Sequence, residues 1–178
     1  MTIAFLRHPP PLDWQGRCYG RTDLALAPGS VSRVEAMRAA VTTLHSATVW
    51  SSPARRCLEP AIYIAEALKL SPPHVDVRLA ELDFGAWEGM KWDDIDRQAL
   101  DRWAADPLGF HPPGGESGVK LLARVTDFYQ ELRKLSGDHI VMTHGGVLKI
   151  LLPLAAGKTP DLLAPAPAFA SVTLCEAI

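Results

Sequence analysis

Two histidines and an arginine stand directly after short apolar runs of this sequence. Arg7 and His8 follow the run Ile3–Leu6, and His144 follows a second run within the stretch VMTHGGVL. Each run is typical of a strand that is covered on both faces. Because the carboxyl ends of parallel strands lie along one edge of a sheet, these side chains are expected to meet there, where ligands bind in α/β sheets.

A third strand end adds two further cations. The stretch WSSPARRC places Arg55 and Arg56 after a third run, 47–50, and one of the two adjacent arginines is expected to face solvent or pair with an acid. Cations that share a crevice repel one another unless an anion is bound, and the planar guanidinium group suits paired phosphate oxygens. Helix N-termini after Ser52 and Gly146 would add backbone N–H donors. The sequence therefore predicts a phosphate site.

Phosphoryl transfer through a histidine nucleophile is the chemistry that fits these groups. A neutral His8 would attack phosphorus in line and become a phosphohistidine. Arg7, Arg56 and a protonated His144 would offset the charge on the equatorial oxygens. The leaving alkoxide needs a proton. The stretch LAELDFGAWEG offers three carboxylic acids for this role, and the residues alone do not choose among Glu81, Asp83 and Glu88.

The elements that must hold these residues alternate between strands and helices. Apolar spacing predicts strands at 3–6, 47–50, 75–77, 139–142 and 170–175, and helices at 29–44, 53–70, 116–135 and 146–155, with one or two short helices at 92–105. Ser51 or Ser52 is expected to cap the helix that starts near Pro53. This order predicts the α/β class: a three-layer α/β/α arrangement with a mostly parallel central sheet and helices on both faces.

Length and composition fit one domain over residues 1–178. A formal net charge of −2, without a block of Lys or Arg, speaks against nucleic acid as a partner. We expect no membrane span and no signal peptide, since the apolar stretches are short and broken. The three cysteines lack metal-site spacing, which predicts reduced thiols, two of them buried, in a cytoplasmic protein: Cys18, Cys57 and Cys175. No apolar stripe marks an oligomer interface.

The chain resembles one family, the histidine phosphatase superfamily of phosphoglycerate mutase-like proteins. The resemblance spans nearly the whole chain and rests on four stretches in the family's order, LRH, SSPARRCLEPA, ELDFGAWEG and THGGV. It implies that His8 is the phosphorylated histidine and Arg7 its phosphate-binding neighbour. The family pattern Ser-x-x-x-x-Arg-Ala implies Arg56, rather than Arg55, as the second phosphate-binding arginine, with Cys57 in place of Ala.

The same resemblance assigns further residues. Glu81 falls at the family's proton donor, before the Asp-Phe-Gly turn, and His144 falls at the second histidine of the phosphate pocket. Arg21, in CYGRTDLAL, falls where relatives bring a loop residue to the phosphate or substrate. The resemblance implies a small phosphomonoester as the substrate and requires no metal ion and no cofactor.

Two positions depart from the family pattern. The usual Arg-His-Gly-Glu is Arg-His-Pro-Pro here, so Pro9 replaces a flexible glycine and its N–H with a rigid turn. The Asn of many relatives is Trp14, so its hydrogen bond to phosphate is expected to be lost or supplied by Tyr19 or Thr143. Neither change removes a group that the reaction needs.

The substrate is indicated by the loops, which are similar to those of α-ribazole phosphatase-like proteins of cobalamin synthesis at CYGRTDLAL, LDFGAWEG with WDDI, and PPGGES. This similarity implies α-ribazole 5′-phosphate, and an end soon after the last strand favours water as acceptor. The alternatives are a phosphatase of another small phosphomonoester, a mutase-type phosphotransferase, and a relative that binds phosphate without turnover. Segment 84–115, with Trp103, Phe110 and His111, is the candidate for a lid or wall that selects the leaving group.

Overall fold

The computed structural model describes residues 1–176, and within them a five-stranded sheet forms the centre of the fold. The strands are β1 (Thr2–Arg7), β2 (Thr48–Ser51), β3 (His74–Val75), β4 (His139–Thr143) and β5 (Val172–Glu176). They lie in the order β3-β2-β4-β1-β5. Neighbouring strands are parallel except for β1 and β5, which are antiparallel. The sheet is mostly parallel, as predicted, with an antiparallel strand at one edge.

Helices cover both faces of this sheet. They are α1 (Ser30–Ala40), α2 (Arg55–Ala67), α3 (Arg97–Ala105), α4 (Gly118–Leu132) and α5 (Gly145–Ala155). Successive side chains of β1 point to opposite faces, so Ile3 and Phe5 join the apolar cluster that contains α4 and α5. Ala4 and Leu6 join the other cluster, with α1 and α2. Burial on both faces explains why this run is apolar throughout, and it produces the predicted three layers.

The predicted strand over 75–77 differs in its boundaries from the observed one. β3 ends at Val75, and the chain enters a 3₁₀ turn, Val77–Leu79, in which the Asp76 side chain accepts the Arg78 N–H. The prediction of a strand over 75–77 is therefore wrong at its end, because a local cap competes with sheet pairing. Segment 92–105 contains a 3₁₀ turn, Trp92–Asp94, followed by α3, in agreement with the predicted short helices.

The start of α2 also differs from the prediction. α2 begins at Arg55, and Ala54 occupies its cap position without a side-chain hydrogen bond, so neither Ser51 nor Ser52 is the N-cap. The hydroxyl of Ser52 instead lies 2.7 Å from Nε2 of His144. A serine that the sequence suggests as a helix cap thus belongs to the polar edge of the sheet.

The carboxyl ends of β1, β2 and β4 meet at this edge. β1 and β4 stay in register to their last residues, Arg7 and Thr143. The backbone ladder continues beyond them, since the N–H of His8 donates to the carbonyl of Thr143 (3.0 Å) and that of Ser52 to the carbonyl of Met142 (3.0 Å). The residues that follow the three strands are therefore held side by side.

Two other expectations concern the thiols and the membrane. Cys18 and Cys57 are buried, Cys175 is half-buried, and all three are free thiols, as predicted. Within residues 1–176, no helix combines the length and the apolar character that crossing a membrane would require.

Candidate active site

His8 and His144 lie next to each other at the carboxyl edge of the sheet. Their ring centroids are 5.1 Å apart, with an angle of 68° between the planes. The two residues are only 2% and 1% exposed. The convergence predicted from the ends of the apolar runs is therefore present, and it occurs in a buried setting.

His8 is held as a neutral ring with Nε2 available for reaction. Its Nδ1 lies 2.6 Å from the carbonyl oxygen of Pro9. Because a carbonyl only accepts, Nδ1 carries the proton and Nε2 the lone pair. Burial, with the guanidinium groups of Arg56 and Arg7, lowers the pKa of His8 to about 3. Pro9 lacks the N–H of the usual glycine, but it keeps the carbonyl that orients the histidine.

His144 is also neutral. Its Nε2 lies 2.7 Å from the Ser52 hydroxyl and 3.5 Å from the sulfur of Cys57. Burial, with the neighbouring His8 and Arg56, holds the pKa of His144 well below the ordinary value of an imidazole. Burial therefore opposes the protonated state expected for His144, and a count of nearby charges in the sequence does not include this cost.

Arg56 is turned into the site, whereas its neighbour Arg55 is turned out. The guanidinium group of Arg56 is fully buried and donates to the carbonyls of Thr22 (2.8 Å) and Gly20 (2.6 Å). Its Nε is buried without a hydrogen-bond partner in the part of the chain that the structure describes. Arg55 is exposed and pairs with Glu59 at 3.0 Å. A buried donor without a partner suits an anionic ligand, which favours Arg56 over Arg55 as an anion-binding residue.

Arg7 is packed against an aromatic residue that the sequence analysis did not identify. Its guanidinium carbon lies 3.8 Å from the centroid of the Phe169 ring, and its N–H donates to the carbonyl of Pro167. The same ring contacts His8, at 5.5 Å between centroids, and Trp14, at 4.9 Å. Trp14, which stands where relatives have Asn, thus forms with Phe169 an aromatic cover over Arg7 and His8.

The three acids of the stretch LAELDFGAWEG have different surroundings. An oxygen of Glu81 accepts the N–H of Gly146 at 3.0 Å, at the start of α5 beside His144. Asp83 accepts the N–H of Gly85 at 2.8 Å, which closes a local turn. Glu88 accepts several backbone N–H groups of the loop at 20–22. Of the three, the geometry favours Glu81 as the acid of the site.

Glu88 holds the loop that in turn holds Arg56. Its carboxylate accepts the backbone N–H groups of Gly20 (3.0 Å), Arg21 (2.8 Å) and Thr22 (3.0 Å). The carbonyls of Gly20 and Thr22 are the ones that accept from Arg56. A chain of hydrogen bonds therefore runs from Glu88 through this loop to a buried guanidinium group.

The two glycines of THGGV allow side chains to approach the first turn of α5. A Cβ atom at Gly146 would overlap an oxygen of Glu81, and one at Gly145 would lie 3.1 Å from the guanidinium carbon of Arg7. Any residue with a Cβ at Gly146 would displace Glu81. Close packing at the site thus favours glycine at 146 and leaves little room for a Cβ atom at 145.

A cavity of about 510 Å³ opens beside Arg7 and Glu81. Two of its wall residues, Trp92 and Trp103, have stacked rings with centroids 6.0 Å apart and an angle of 7° between the planes. We call this space the aromatic cavity. Its wall also includes Trp14, Tyr19, Phe84, Leu121, Lys149 and Leu162.

Arg21 and Tyr19, the two further binding residues suggested by the loop, both lie at the site. Arg21 lines a second cavity, of about 240 Å³, together with Glu81 and His144. Tyr19 lines the aromatic cavity, and its ring centroid is 5.3 Å from the guanidinium carbon of Arg56. Glu81 is common to both cavities, so it stands between them.

Thr143 does not face either cavity. It is fully buried, and its hydroxyl donates to the carbonyl of Leu79 at 2.7 Å. The hydroxyl proton is therefore already bonded, and the expectation that Thr143 replaces the Asn lost at Trp14 is wrong.

Segment 84–115 contributes part of the cavity wall. Four of its residues line the aromatic cavity, namely Phe84, Trp92, Trp103 and Pro107. Of the residues singled out in the sequence, Trp103 is in this wall, whereas Phe110 packs on Trp87 with 5.9 Å between centroids and His111 is exposed. Phe110 and His111 therefore do not line the aromatic cavity, whereas Trp103 does.

Comparison with known families establishes what kind of chain carries this site. The family model for the histidine phosphatase superfamily (branch 1) matches residues 3–176. The chain belongs to this superfamily. The four stretches that carried the resemblance are the ones that the fold gathers around His8.

Named relatives of this histidine phosphatase are themselves phosphatases. Phosphoserine phosphatase 1 of Hydrogenobacter thermophilus is 30% identical over 145 residues, covering 79% of this chain and 68% of that protein. Glucosyl-3-phosphoglycerate phosphatase of Mycolicibacterium vanbaalenii is 29% identical over 122 residues, covering 62% of this chain and 54% of that protein. The solved structure of the α-ribazole phosphatase of Shigella flexneri has the same fold, with a TM-score of 0.87 at 20% identity over 98% of this chain and 89% of that one. These matches confirm the predicted fold class and the enzyme class of phosphoric monoester hydrolase.

The positive charge of this histidine phosphatase site comes from arginines and from the N-terminus of α5. Within residues 1–176, no group of three or more His, Cys, Asp or Glu side chains is arranged to hold a metal ion. Arg7 Nε, like that of Arg56, is buried without a hydrogen-bond partner among these residues. Two guanidinium groups therefore each offer a donor beside His8.

The buried His8 is expected to make the stability of this histidine phosphatase depend on pH. Its pKa is about 3 in the folded chain against an ordinary 6.5, so between these values the unfolded chain binds a proton that the folded one does not. The full contribution of His8 to stability is therefore present above pH 6.5. Below this pH, the free energy of unfolding decreases as the pH is lowered, by up to about 1.4 kcal/mol per pH unit.

Unfolding in urea at pH 7, 6, 5 and 4.5 measures this dependence. We expect a shallower fall for His8→Asn than for the wild type, and an unchanged one for the control His45→Asn, whose side chain is exposed. Equal slopes for wild type and His8→Asn would contradict the prediction.

Proposed function

We propose that this protein is a metal-independent phosphomonoesterase that passes the phosphoryl group of a small phosphomonoester first to Nε2 of His8 and then to water. The observation that carries the proposal is the state of His8: a neutral ring whose Nδ1–H is bound to the Pro9 carbonyl, with two buried arginine donors beside it. A nucleophile that is neutral at physiological pH needs no general base for the first step.

In the first step, Nε2 of His8 forms a bond to phosphorus while the ester P–O bond breaks. Arg7 and Arg56 donate to the equatorial oxygens, where charge accumulates. Glu81 gives its proton to the leaving oxygen, which departs as an alcohol. In the second step, water attacks the phosphohistidine, Glu81 takes a proton from that water, and phosphate and neutral His8 are restored.

The aromatic cavity supports a substrate whose leaving group contains a flat apolar ring. It adjoins Arg7 and Glu81, and the parallel rings of Trp92 and Trp103 line it. Flat aromatic groups gain from such stacking in addition to apolar burial. We therefore propose α-ribazole 5′-phosphate, whose leaving group carries a benzimidazole ring. Phosphoserine, named for the Hydrogenobacter relative, is the natural competitor in any assay.

The cytoplasm is the proposed location. Cys18, Cys57 and Cys175 are free thiols. Unpaired thiols persist in a reducing compartment, which supports this proposal.

The test is phosphate release from α-ribazole 5′-phosphate, ribose 5-phosphate, phosphoserine and AMP in excess EDTA. Wild type, His8→Asn and the exposed control His45→Asn are compared, and the protein is trapped with ³²P-labelled substrate. We expect the ribazole ester to lead in kcat/KM by about tenfold, which corresponds to about 1.4 kcal/mol. Label should appear in wild type and His45→Asn only.

The other outcomes each identify an alternative. Equal rates on all four substrates that are lost in His8→Asn would support the phosphatase assignment and reject α-ribazole 5′-phosphate as the preferred substrate. Phosphate exchange that requires a bisphosphate primer, without net release, would indicate a mutase. Tight phosphate binding with no label on His8 would indicate a binding protein, and activity lost in EDTA would reject the metal-independent mechanism.

A further inference from the structure

Lys149 is a half-buried cation in the wall of the aromatic cavity that the proposed reaction does not use. It lies on α5, one helical turn beyond Gly146, whose N–H binds Glu81. Its ammonium group donates to the carbonyl of Leu162 at 2.9 Å. No carboxylate forms an ion pair with it within residues 1–176. An ammonium group has three donors, so two remain for other acceptors.

The charges around this cavity are unbalanced. Arg7, Arg17 and Lys149 line it, and Glu81 is the acidic side chain in its wall. Burial lowers the pKa of Lys149, although Glu81 and Asp161 act in the opposite direction. An ammonium group that has lost part of its water gains from any acceptor that a ligand brings.

Lys149 shares the aromatic cavity with the tryptophan pair. Trp92 and Trp103 line this cavity, and the carbonyl bound by the ammonium group belongs to Leu162, another of its wall residues. Because Arg7 and Glu81 line the same cavity, a leaving group that extends from His8 into it enters the space that Lys149 borders.

We propose that Lys149 is a specificity-determining residue that binds a hydrogen-bond acceptor on the leaving group, while the stacked Trp92 and Trp103 hold its flat apolar body. This inference rests on the proposed function and narrows the substrate class to phosphomonoesters of flat, ring-containing alcohols that carry an acceptor. A carboxylate and a neutral ring nitrogen share this chemistry, and the benzimidazole of α-ribazole contains the latter.

The test compares Lys149→Met, which keeps the apolar stem and removes the donors, with Lys158→Met, an exposed lysine outside the cavity. The probes are phenyl phosphate, which has no acceptor on its ring, 4-carboxyphenyl phosphate, which has an anionic one, and α-ribazole 5′-phosphate, which has a neutral one. For each probe, kcat and KM of the variant are divided by those of wild type, so the intrinsic reactivity of the ester cancels.

We expect Lys149→Met to lower kcat/KM at least tenfold for one or both acceptor-bearing probes, mainly through KM, and to change phenyl phosphate less than twofold. The probe that is affected identifies the acceptor. Lys158→Met should change none of them. An equal loss on all three probes would overturn the proposal, since Lys149 would then act through Glu81 or the fold, and no change on any probe would overturn it as well.

Failure of the proposed function has a different signature. If the wild-type protein hydrolyses none of the probes, the proposed phosphatase function is rejected. The role of Lys149 is then tested by measuring ligand affinity. The Kd values of phenyl phosphate and 4-carboxyphenyl phosphate are then measured by calorimetry in wild type and Lys149→Met. A tenfold loss of affinity for 4-carboxyphenyl phosphate alone supports Lys149 as the site for an anionic acceptor. Equal ratios of variant to wild-type Kd for the two probes overturn the proposal.

Discussion

Glu81→Gln is expected to lower kcat for alkyl phosphates by about 10²–10⁴-fold, the usual range for loss of a general acid. It should lower the rate constant for phosphohistidine formation from 4-nitrophenyl phosphate by less than about tenfold, because nitrophenolate leaves without being protonated. Hydrolysis of the phosphohistidine, in which Glu81 takes the proton of water, should be slowed equally for both esters. Formation of the phosphohistidine from the aryl ester should therefore survive in a variant that is almost inactive on the proposed substrate.

Glutamine preserves the size of the side chain at this position. Glu81 is held by the N–H groups of Gly146 (3.0 Å) and Leu82 (3.1 Å), each of which bonds a different oxygen. Glutamine keeps the size and one acceptor oxygen, so it retains one of these hydrogen bonds, turns its NH₂ group toward the other donor and loses the acidic proton. Stopped-flow kinetics with both esters separates phosphohistidine formation from its hydrolysis.

Asp83→Asn is the matched control for this variant. Asp83 lies in the same stretch, and its role in accepting the Gly85 N–H is one that asparagine can retain. We expect kcat of Asp83→Asn to stay within about twofold on both esters. If Glu81→Gln slows phosphohistidine formation equally from the two esters, Glu81 does not act as the acid, and the proton must come from elsewhere.

The sequence was sufficient to predict the strands that meet at the site. Ile3–Leu6 is apolar at every position because β1 is buried on both faces, and the change to Arg7 and His8 marks where the strand leaves the core. The same change follows Met142 in β4. Parallel pairing then brings these ends together without any knowledge of the loops.

The surroundings of His8 and Glu81 could not be predicted in this way. Phe169 meets His8 and Arg7 because a Pro- and Ala-rich loop folds back over the edge of the sheet, and that loop has no period that indicates its path. The residues alone, without the family resemblance, do not distinguish Glu81 from Glu88. Their roles differ because one side chain faces a cavity and the other faces a row of backbone N–H groups.

The protonation of His144 shows a second limit. The sequence shows that cations accumulate at this edge of the sheet. They would allow a charged imidazole at His144 only if a carboxylate stood opposite it. The structure shows instead that His144 is 1% exposed and adjoins Ser52 and Cys57. Burial is a property of the packed fold, and it opposes the expected charge on His144.

Glu88→Gln is expected to lower the free energy of unfolding by about 2–4 kcal/mol, in the range for buried donors left without partners. Both oxygens of Glu88 are occupied: they accept the N–H groups of Gly20, Arg21, Thr22 and Phe84. Glutamine would turn an NH₂ group toward some of these donors, and each such contact is repulsive.

The contribution of Glu88 to stability should also depend on pH. Burial opposes ionisation, but the hydrogen bonds from Gly20, Thr22 and Arg21 outweigh it and lower the pKa of Glu88 below its ordinary 4.5. The unfolded chain therefore takes up this proton first, so the contribution is present above pH 4.5 and is lost as the pH falls through the folded value. Glu88→Gln removes this part of the acid sensitivity.

The control for Glu88→Gln is Glu59→Gln. Glu59 is exposed and pairs with Arg55, the residue next to Arg56, and loss of such a surface pair changes stability by at most about 1 kcal/mol. Urea unfolding at pH 7 and pH 4 gives the stability of both variants. Vanadate affinity at pH 7, where both remain folded, reports on the phosphate site.

The affinity for vanadate decides whether Glu88 positions Arg56 or only stabilises the fold. Arg56 is oriented by the carbonyls of Gly20 and Thr22, and these belong to the peptides that Glu88 holds by their N–H groups. A loosened loop should therefore misplace the Arg56 Nε donor and weaken vanadate binding about tenfold in Glu88→Gln, as expected for loss of one charge-assisted hydrogen bond. Glu59→Gln should bind as wild type does. If Glu88→Gln loses stability but keeps its vanadate affinity, the loop does not position Arg56, and the packing of Arg56 against Tyr19 must be sufficient to hold it.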